Sequence, residues 1–301
     1  PTGGPRNELG DFIASDRAVS DWVPYFEQRY EWRTDFVDRV QDDGVPYVSL
    51  LTNTGFFPAA FGAELHTYDV GGVAARPLVS TSDEAARLEK PSMDARPFER
   101  YFELAERIQE RLGPGAPISV PDIQSPFGIA AILWDKADFM LSCAMEPQAV
   151  HGLTNTCGEL LRDFLHEFDR RIGNRNMCHC PDMWVPPDYG CHLSEDEIGV
   201  ISPQMFEEFC LPWLTRLSED FGGLWMHCCA DADHQYESLA KIPNLMGLNR
   251  KFFHGPEKCV DMFSDRVLFS FGCDSEEVWD NVIAAAHPNT RLLFSIYSDP
   301  D

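Results

Sequence analysis

The sequence predicts an α/β fold, and within that class a single closed (β/α)8 TIM barrel. Four short apolar strands in the last third of the chain are separated mostly by helical stretches, and this alternation is typical of parallel β-α units. Earlier strands bring the count to about eight, which fits a barrel whose active site lies at the carboxyl ends of its strands. A doubly wound open sheet is the alternative, but no glycine-rich fingerprint follows any of these strands.

Each element follows from a local signal. Short apolar runs that end at polar residues predict strands within 46–51, 76–80, 117–122, 189–200, 223–229, 244–249, 266–273 and 291–298. Apolar residues that recur every three or four positions predict helices over 21–43, 92–112, 146–168 and 203–220. Ser125-Pro126 and Ser202-Pro203 each combine an N-cap serine with a proline at the first helical position, so both predict a helix start.

The chain is strongly acidic, with a formal net charge of −25 over 301 residues. Phosphate backbones and anionic lipid surfaces bind basic patches, so this charge argues against nucleic acid and membranes as partners. No run approaches 18 consecutive apolar residues, and no apolar segment typical of a signal peptide follows Pro1. We therefore expect a cytoplasmic protein that acts on a small molecule, with a poorly ordered segment over residues 1–20 and a barrel over 21–301 that lacks its last helix.

The predicted strand 223–229 carries the clearest chemical signal, His227-Cys228-Cys229. Alternate residues of a strand point to the same side, so His227 and Cys229 face one way, roughly 7 Å apart along the chain. One imidazole and one thiolate at the catalytic end of a barrel strand are natural zinc ligands, and a catalytic zinc needs one more protein ligand. A buried histidine beside a buried cysteine gives the same letters, so simple packing remains the alternative.

Two further cysteine–histidine groups precede this strand. Cys178-His179-Cys180 and Cys191-His192 can form a structural zinc knot or contribute to the same barrel mouth. The proline-rich loop between them has no standard ligand spacing, so we favour ordinary packing for both groups.

Three carboxylates fall near predicted strand ends. Asp122 ends an apolar strand, where it can accept hydrogen bonds from a substrate or take part in catalysis. Glu195 and Asp196 precede Ser202-Pro203, where a carboxylate can act as a general acid or base or as a hydrogen-bond partner of His227. Favourable charge near a helix start is the alternative explanation for this acidic pair.

Several motifs together resemble the uroporphyrinogen decarboxylase-like superfamily. The helix Ser202-Pro203-Gln204-Met205-Phe206-Glu207-Glu208-Phe209-Cys210-Leu211-Pro212 and the following His227-Cys228-Cys229 are similar to a Ser-Pro-x-x-Phe-x-x-Phe-x-x-Pro helix followed by a His-x-Cys strand. Asp122-Ile123-Gln124-Ser125-Pro126-Phe127 and Glu146-Pro147 match further parts of the superfamily pattern. The resemblance covers most of residues 40–300 and implies a (β/α)8 barrel.

The superfamily contains two chemistries. True uroporphyrinogen decarboxylases carry an arginine-rich Arg-Gln-Ala-Gly-Arg-Tyr motif, but here the first strand leads into Leu51-Thr52-Asn53-Thr54-Gly55-Phe56, which disfavours that activity. In the corrinoid-linked methyltransferases, His-x-Cys and a later cysteine bind zinc, which activates an acceptor thiol for attack on a cobalt-bound methyl group. The resemblance thus implies His227 and Cys229 as ligands. The later cysteine is absent from Ser295-Ile296-Tyr297-Ser298-Asp299, and Cys273, one strand earlier, is the candidate substitute.

Three functional hypotheses follow. The first is a methyltransferase that moves a methyl group, carried by a corrinoid, to a zinc-activated thiol. The second is a metal-free decarboxylase of a tetrapyrrole-like or other carboxylated substrate, and the third is a non-catalytic barrel that binds a corrinoid or tetrapyrrole. In the first two, Asn53, Gln124 and Tyr297 are candidate substrate-binding residues at strand ends. The resemblance also implies a corrinoid protein as a partner and is compatible with a homodimer.

Overall fold

A computed structural model describes residues 7–9, 11–41, 43–50, 52–68, 72–273 and 276–296, and only the backbone of 272, 273 and 296. The helices are α1 Val23–Val40, α2 Phe56–Ala60, α3 Ser82–Ala85, α4 Arg96–Leu112, α5 Pro126–Leu133, α6 Lys136–Met145, α7 Pro147–Arg171, α8 Pro203–Met205, α9 Leu211–Asp220, α10 Tyr236–Leu239, α11 Glu257–Phe263 and α12 Glu276–Ala285. The strands are β1 Leu65–Thr67, β2 Val73–Ala75, β3 Ile118–Ser119, β4 Arg175–Asn176, β5 Cys191–Ser194, β6 Leu224–Cys228, β7 Leu245–Arg250, β8 Leu268–Cys273 and β9 Arg291–Ile296.

A parallel sheet dominates the second half of the chain. Strands β5 to β9 pair in sequence order, and every pair is parallel. Strands β3 and β4 form a second parallel pair, to which Val48 is bridged through Ile118, and the residues that follow β3 are bridged to β5 through Gln124 and Ser194. The carboxyl ends of these segments therefore meet at one end of the molecule. The fold is mixed α/β, as predicted from the sequence.

The first half differs from its prediction in detail. The predicted strand 76–80 does not enter the parallel set, because Val79 is bridged to Trp134 at the end of α5, while β4 pairs with β3. An antiparallel hairpin, β1–β2, was not predicted. No hydrogen bond among the described residues joins β9 to the Val48 segment, so closure of the barrel stays a prediction.

The helix starts follow the predicted capping chemistry. Ser125 caps α5 by accepting a hydrogen bond from the Gly128 backbone N–H, and Ser202 caps α8 by accepting one from Met205. In both cases a proline follows the cap, where its missing N–H costs no helical hydrogen bond. A π-helical stretch, Phe206–Cys210, separates α8 from α9.

The core is rich in aromatic side chains from helices α2, α4 and α7. Its centre is a group of fully buried rings that pack edge-on or stacked: Phe56, Phe57, Phe98, Tyr101, Phe102, Phe164 and Phe168. Each such side chain contributes on the order of 2–3 kcal/mol through burial. The Tyr101 hydroxyl donates to the Ser119 carbonyl oxygen, which ties this cluster to β3.

Residues 11–20 pack against this core. Phe12 is fully buried with its ring centroid 5.2 Å from that of Trp22, and Asp11 accepts a hydrogen bond of 2.7 Å from Asn53. The expected division at residue 21 stays a prediction. Among the described residues, no helix has the length and apolar character needed to cross a bilayer.

Candidate metal centre

Three side chains with metal-binding atoms converge at the carboxyl end of the sheet. Potential ligand atoms of Asp196, His227 and Cys229 all lie within 4.8 Å of one another. His227 sits near the end of β6, Cys229 directly follows that strand, and Asp196 follows β5, which pairs with β6 at Ser194 and His227. The Cys229 N–H donates a hydrogen bond of 2.8 Å to Asp196 Oδ1, so the backbone fixes the carboxylate beside the thiol.

The hydrogen bonds of Asn249 determine which nitrogen of His227 is free. Asn249, on β7, donates its Nδ2–H to the Ser270 carbonyl oxygen at 2.7 Å, which fixes the orientation of its amide. Its Oδ1 therefore faces His227 Nδ1, at 2.5 Å, and an amide oxygen only accepts. Nδ1 must carry the proton, and Nε2, which lies 4.0 Å from Asp196 Oδ1, presents a lone pair to the other two ligands.

The donor set suits a divalent cation. Asp196 and Cys229 are two groups whose anionic forms repel each other at this separation, and burial together with Asp196 raises the pKa of the Cys229 thiol. A cation removes that repulsion. One carboxylate, one imidazole and one thiolate are accepted zinc ligands, and a histidine held through its second nitrogen is the usual arrangement in metal sites. Three protein ligands also leave a position open, as in catalytic zinc sites.

A cavity of about 650 Å³ adjoins the triad on this side. His227, Cys229 and Asn249 line one part of it, and Arg250 and Lys251 line another. The Arg250 side chain is fully buried, with its guanidinium 3.3 Å from Asp233, and its Nε has no hydrogen-bond partner within the described part of the chain. The same guanidinium donates to the Cys228 and Ala230 carbonyl oxygens, so the exposed Lys251 is the lining cation that remains available to a ligand.

The loop 177–186 lies beside the triad and contributes Cys180, Pro181 and Asp182 to the wall of the same cavity. Asn176 organises it, since its Nδ2 donates to the Met183 carbonyl at 2.7 Å and its Oδ1 accepts from the Val185 N–H at 3.0 Å. Asp182, at the tip of the loop, accepts hydrogen bonds from Arg33 Nη2 at 2.5 Å and from the Tyr47 hydroxyl at 2.7 Å, and these hold the tip in place.

This loop brings a further thiol to the triad. Cys180 Sγ lies 3.5 Å from His227 Nδ1 and lines the cavity. Burial, with added repulsion from nearby carboxylates, raises the pKa of the Cys180 thiol to about 12, so this thiol stays protonated. The sequence favours packing for the segment Cys178-His179-Cys180; Cys178 is buried, whereas Cys180 lies at the mouth.

Asp122 lies deeper in the same mouth. Burial is the main reason that the pKa of its carboxyl rises to about 6, and Asp196 adds to the effect. Gln124 Nε2 donates to its Oδ1 at 3.3 Å, and His179 Nδ1 lies 3.5 Å from the same oxygen. Asp122 is thus held by neighbours and remains partly exposed.

The remaining candidates are placed apart from the triad or are not described. Glu195 is fully buried beside Ser125 and Cys210, and burial raises the pKa of its carboxyl to about 8. Asn53 has both ends of its amide occupied, by Asp11 and by the Gly55 N–H. The side chain of Cys273 and the whole of Tyr297 lie outside the described residues.

Sequence reasoning missed three residues that organise the site: Asn176, Asn249 and Arg250. Asn249 and Arg250 end an apolar strand with polar side chains, and that is a usable signal because strand ends in this fold class face the site. Asn176 has a weaker signal, since it comes at the start of an irregular segment.

Comparison with known proteins gives two similarities. The chain is 26% identical to uroporphyrinogen decarboxylases from two strains of Xanthomonas campestris pv. campestris, B100 and 8004, over 185 residues, or 60% of this chain. The matched part spans about half the length of these relatives, 46%. The fold is similar to that of a methyltransferase from Methanosarcina mazei, with a TM-score of 0.67 and 11% identity over 97% of this chain and 88% of that protein.

No protein-family model matches the chain. The sequence similarity to decarboxylases confirms the resemblance to the uroporphyrinogen decarboxylase-like superfamily that the sequence motifs indicate, and the Methanosarcina mazei protein is similar in fold.

Proposed function

We propose that this protein is a methyltransferase that transfers a methyl group, carried by a corrinoid, to a thiol at a zinc site formed by Asp196, His227 and Cys229. The hydrogen bond from His227 Nδ1 to Asn249 carries the proposal, because it leaves Nε2 free beside a carboxylate and a thiol. The fold similarity to a methyltransferase supports the reaction class. Asp196, rather than Cys273, is the third protein ligand in this proposal.

The chain's own residues prepare the site for that reaction. Asn249 holds the imidazole plane, and the Cys229 N–H holds Asp196 toward the thiol. When bound, zinc supplies a positive charge that lowers the pKa of an acceptor thiol. The adjoining cavity admits the acceptor, and its opening at the strand ends gives a corrinoid protein access.

The wider features of the proposed function follow from the resemblance to the same superfamily. We propose a closed (β/α)8 barrel, a cytoplasmic location and a corrinoid protein as the partner, with a homodimer compatible with all three. The parallel set from Val48 to β9 supports the barrel.

Metal analysis of the purified full chain tests the zinc site. We expect inductively coupled plasma emission spectroscopy to find about one zinc per chain, and we expect this zinc to be lost in His227→Ala. A matched variant is His254→Ala, because His254, Asp231 and Asp233 form a second, more exposed group of metal-binding side chains. Zinc that is retained in His227→Ala but lost in His254→Ala, or no zinc in a folded protein, contradicts the proposal.

The lysine that lines the cavity favours one second candidate, a decarboxylase of a carboxylated substrate. Lys251 can bind a carboxylate in the cavity, and Asp122 lies near Cys180 in the cavity wall. Incubation of the metal-free protein with uroporphyrinogen, followed by fluorescence detection of products with fewer carboxyl groups, separates the two. We expect no turnover, whereas decarboxylation without metal would favour the second candidate.

A further inference from the structure

We propose that the thiol acceptor of this site has an apolar body, aromatic or branched, which lies against an apolar subsite in the cavity beside the triad. The apolar subsite consists of four side chains that line this cavity: Phe252, Phe271, Val278 and Val282. The inference rests on the proposed methyltransferase function for the thiol. The subsite itself follows from the cavity wall, and its first test does not depend on that function.

Three elements hold the apolar subsite in place. Phe252 comes two residues after β7 and Phe271 lies on β8, and their rings pack with centroids 5.2 Å apart and planes tilted by 44°. Val278 and Val282 lie on the same face of α12, because they are four residues apart. Phe271 and Val282 are almost fully buried, whereas Val278 is 37% exposed and Phe252 is half-buried. The buried pair therefore forms a fixed floor, and the other two present apolar surface to a ligand.

One ligand can reach the triad and the apolar subsite together. Asn249, which accepts the hydrogen bond from His227, is three residues before Phe252 in the chain. Consecutive Cα atoms are about 3.8 Å apart, so the Cα atoms of these two residues are separated by at most about 11 Å. Phe271 lies on β8 one residue beyond the partner of Asn249. An acceptor whose sulfur is at the triad therefore needs a body of only several carbon atoms to meet the subsite.

The cavity is larger than a minimal thiol requires. Its volume of about 650 Å³ is within the range of about 300–1,000 Å³ that holds drug-sized ligands. A minimal thiol such as 2-mercaptoethanol occupies a small part of this volume and leaves the apolar subsite in contact with water. An apolar body displaces that water, which is favourable in rough proportion to the apolar area removed from solvent. Size and lining together favour an acceptor with such a body.

The polar part of the wall defines the competing class of acceptor. Lys251 is exposed at the same cavity, with its Nζ 5.4 Å from the centroid of the Phe253 ring. Its charge can hold a small anionic thiol that makes no use of the apolar subsite. Neutral ligands therefore test the subsite without a contribution from the charge on Lys251.

The first test needs neither zinc nor a thiol. Fluorine-19 NMR titration of the zinc-free full chain with 4-fluorobenzyl alcohol should show saturable binding, and Phe252→Ala should weaken it by at least about 5-fold through loss of apolar contact area. Phe253→Ala is the matched control, because Phe253 is 46% exposed and is not part of the cavity wall among the described residues. Equal affinities in the two variants, or no saturable binding to the unaltered protein, overturn the inference.

A second pair of variants keeps this test decisive if Phe252→Ala does not fold. Val278→Ser changes the exposed part of the subsite, and Ile283→Ser changes an exposed apolar residue of the same helix that is outside the cavity wall in the described part of the chain. Circular dichroism checks that both variants keep their helix content. Val278→Ser should weaken binding of 4-fluorobenzyl alcohol about 3-fold, and Ile283→Ser should leave it unchanged. The reverse order, or no difference, overturns the inference.

A series of thiols joins the subsite to the metal site. In cobalt(II)-substituted protein, the increase in sulfur-to-cobalt charge-transfer absorption reports the binding of an added thiol. Benzyl mercaptan should bind about 30-fold more tightly than 2-mercaptoethanol, because its ring is buried at the subsite. Phe252→Ala should reduce this preference to about 5-fold or less, whereas Phe253→Ala should keep it. Tighter binding of 3-mercaptopropionate than of benzyl mercaptan would assign the cavity to a small anionic thiol and overturn the inference.

The two kinds of measurement separate failure of this inference from failure of the proposed function. A protein that binds neither zinc nor cobalt contradicts the proposed function, and the fluorine titration then decides whether the subsite exists. A protein that binds metal and 2-mercaptoethanol, but shows the same preference among thiols in Phe252→Ala and Phe253→Ala, supports the proposed function and overturns the inference alone.

Discussion

Two histidines at the same mouth differ in which ring nitrogen carries the proton and which presents a lone pair. His227 donates from Nδ1 to the Asn249 amide oxygen and so keeps a lone pair at Nε2 beside Asp196 and Cys229. His179 accepts at Nε2 from a backbone N–H and so keeps a proton at Nδ1, which lies 3.5 Å from Asp122 Oδ1. The same side chain thus offers a metal ligand in one place and a hydrogen-bond donor in the other. The neighbouring donor or acceptor makes the difference.

The largest expected effect is loss of the metal when a ligand is removed. Cys229→Ala should weaken zinc binding by at least about 100-fold, because a three-ligand protein site loses its thiolate. Competition with a zinc chelator measures the change. Cys180→Ala is the matched control, since it removes a thiol near His227 that we do not assign to the metal. Equal losses of zinc affinity in the two variants would contradict the assignment of Cys229 as the thiolate ligand.

The next effect tests the hydrogen bond that sets the His227 tautomer. Asn249→Ala should weaken zinc binding by about 10- to 100-fold, because partners that orient a metal-bound histidine contribute on that scale. Ser270→Ala removes the other partner of the amide side chain but keeps the backbone carbonyl that orients it, so it should change affinity far less. If Asn249→Ala binds zinc as tightly as the unaltered protein, the tautomer argument fails.

A third prediction concerns two adjacent carboxylates, Glu195 in the core and Asp196 at the mouth. The pKa of Glu195 is raised from 4.5 to about 8, so the folded state binds a proton that the unfolded state has lost between these two values. Stability therefore falls as pH rises through this window. Glu195→Gln, which mimics the protonated form, should gain stability relative to the unaltered protein by roughly 1 kcal/mol per pH unit in this window.

Urea unfolding between pH 5.5 and 7.5 measures that gain. Glu197→Gln is the matched control, because Glu197 is paired with Lys136 near the surface and should shift the free energy of unfolding by about 0–1 kcal/mol. If the stability gained by Glu195→Gln does not grow with pH, then Glu195 is charged in the folded core and the predicted protonation is wrong.

The strands that carry the triad could be predicted from the sequence because their signals are local. The apolar run before His227, the serine–proline caps at Ser125 and Ser202, and the polar residues at strand ends all act over a few residues. The strand predicted over 76–80 is the contrast: whether its apolar residues Leu78 and Val79 join the sheet depends on Trp134, which is distant in sequence.

The site shows the same limit. His227 and Cys229 are two residues apart, so their common face follows from strand geometry. Asp196 joins the triad only because β5 pairs with β6 in a register that sets Ser194 beside His227. Asn249 reaches His227 because β7 pairs with the other edge of β6. Cys180 reaches the mouth through a loop that Asn176 shapes. Such contacts depend on register and loop shape, which the residue pattern alone does not specify.

Zinc K-edge X-ray absorption on the zinc-loaded protein tests the central claim most directly. Coordination by Asp196, His227 and Cys229 predicts one sulfur neighbour at about 2.3 Å, with the remaining neighbours nitrogen or oxygen at about 2.0–2.2 Å. Cys229→Ser should remove the single sulfur signal. Three or four sulfur neighbours would instead assign the metal to other cysteines of the chain and would contradict the account.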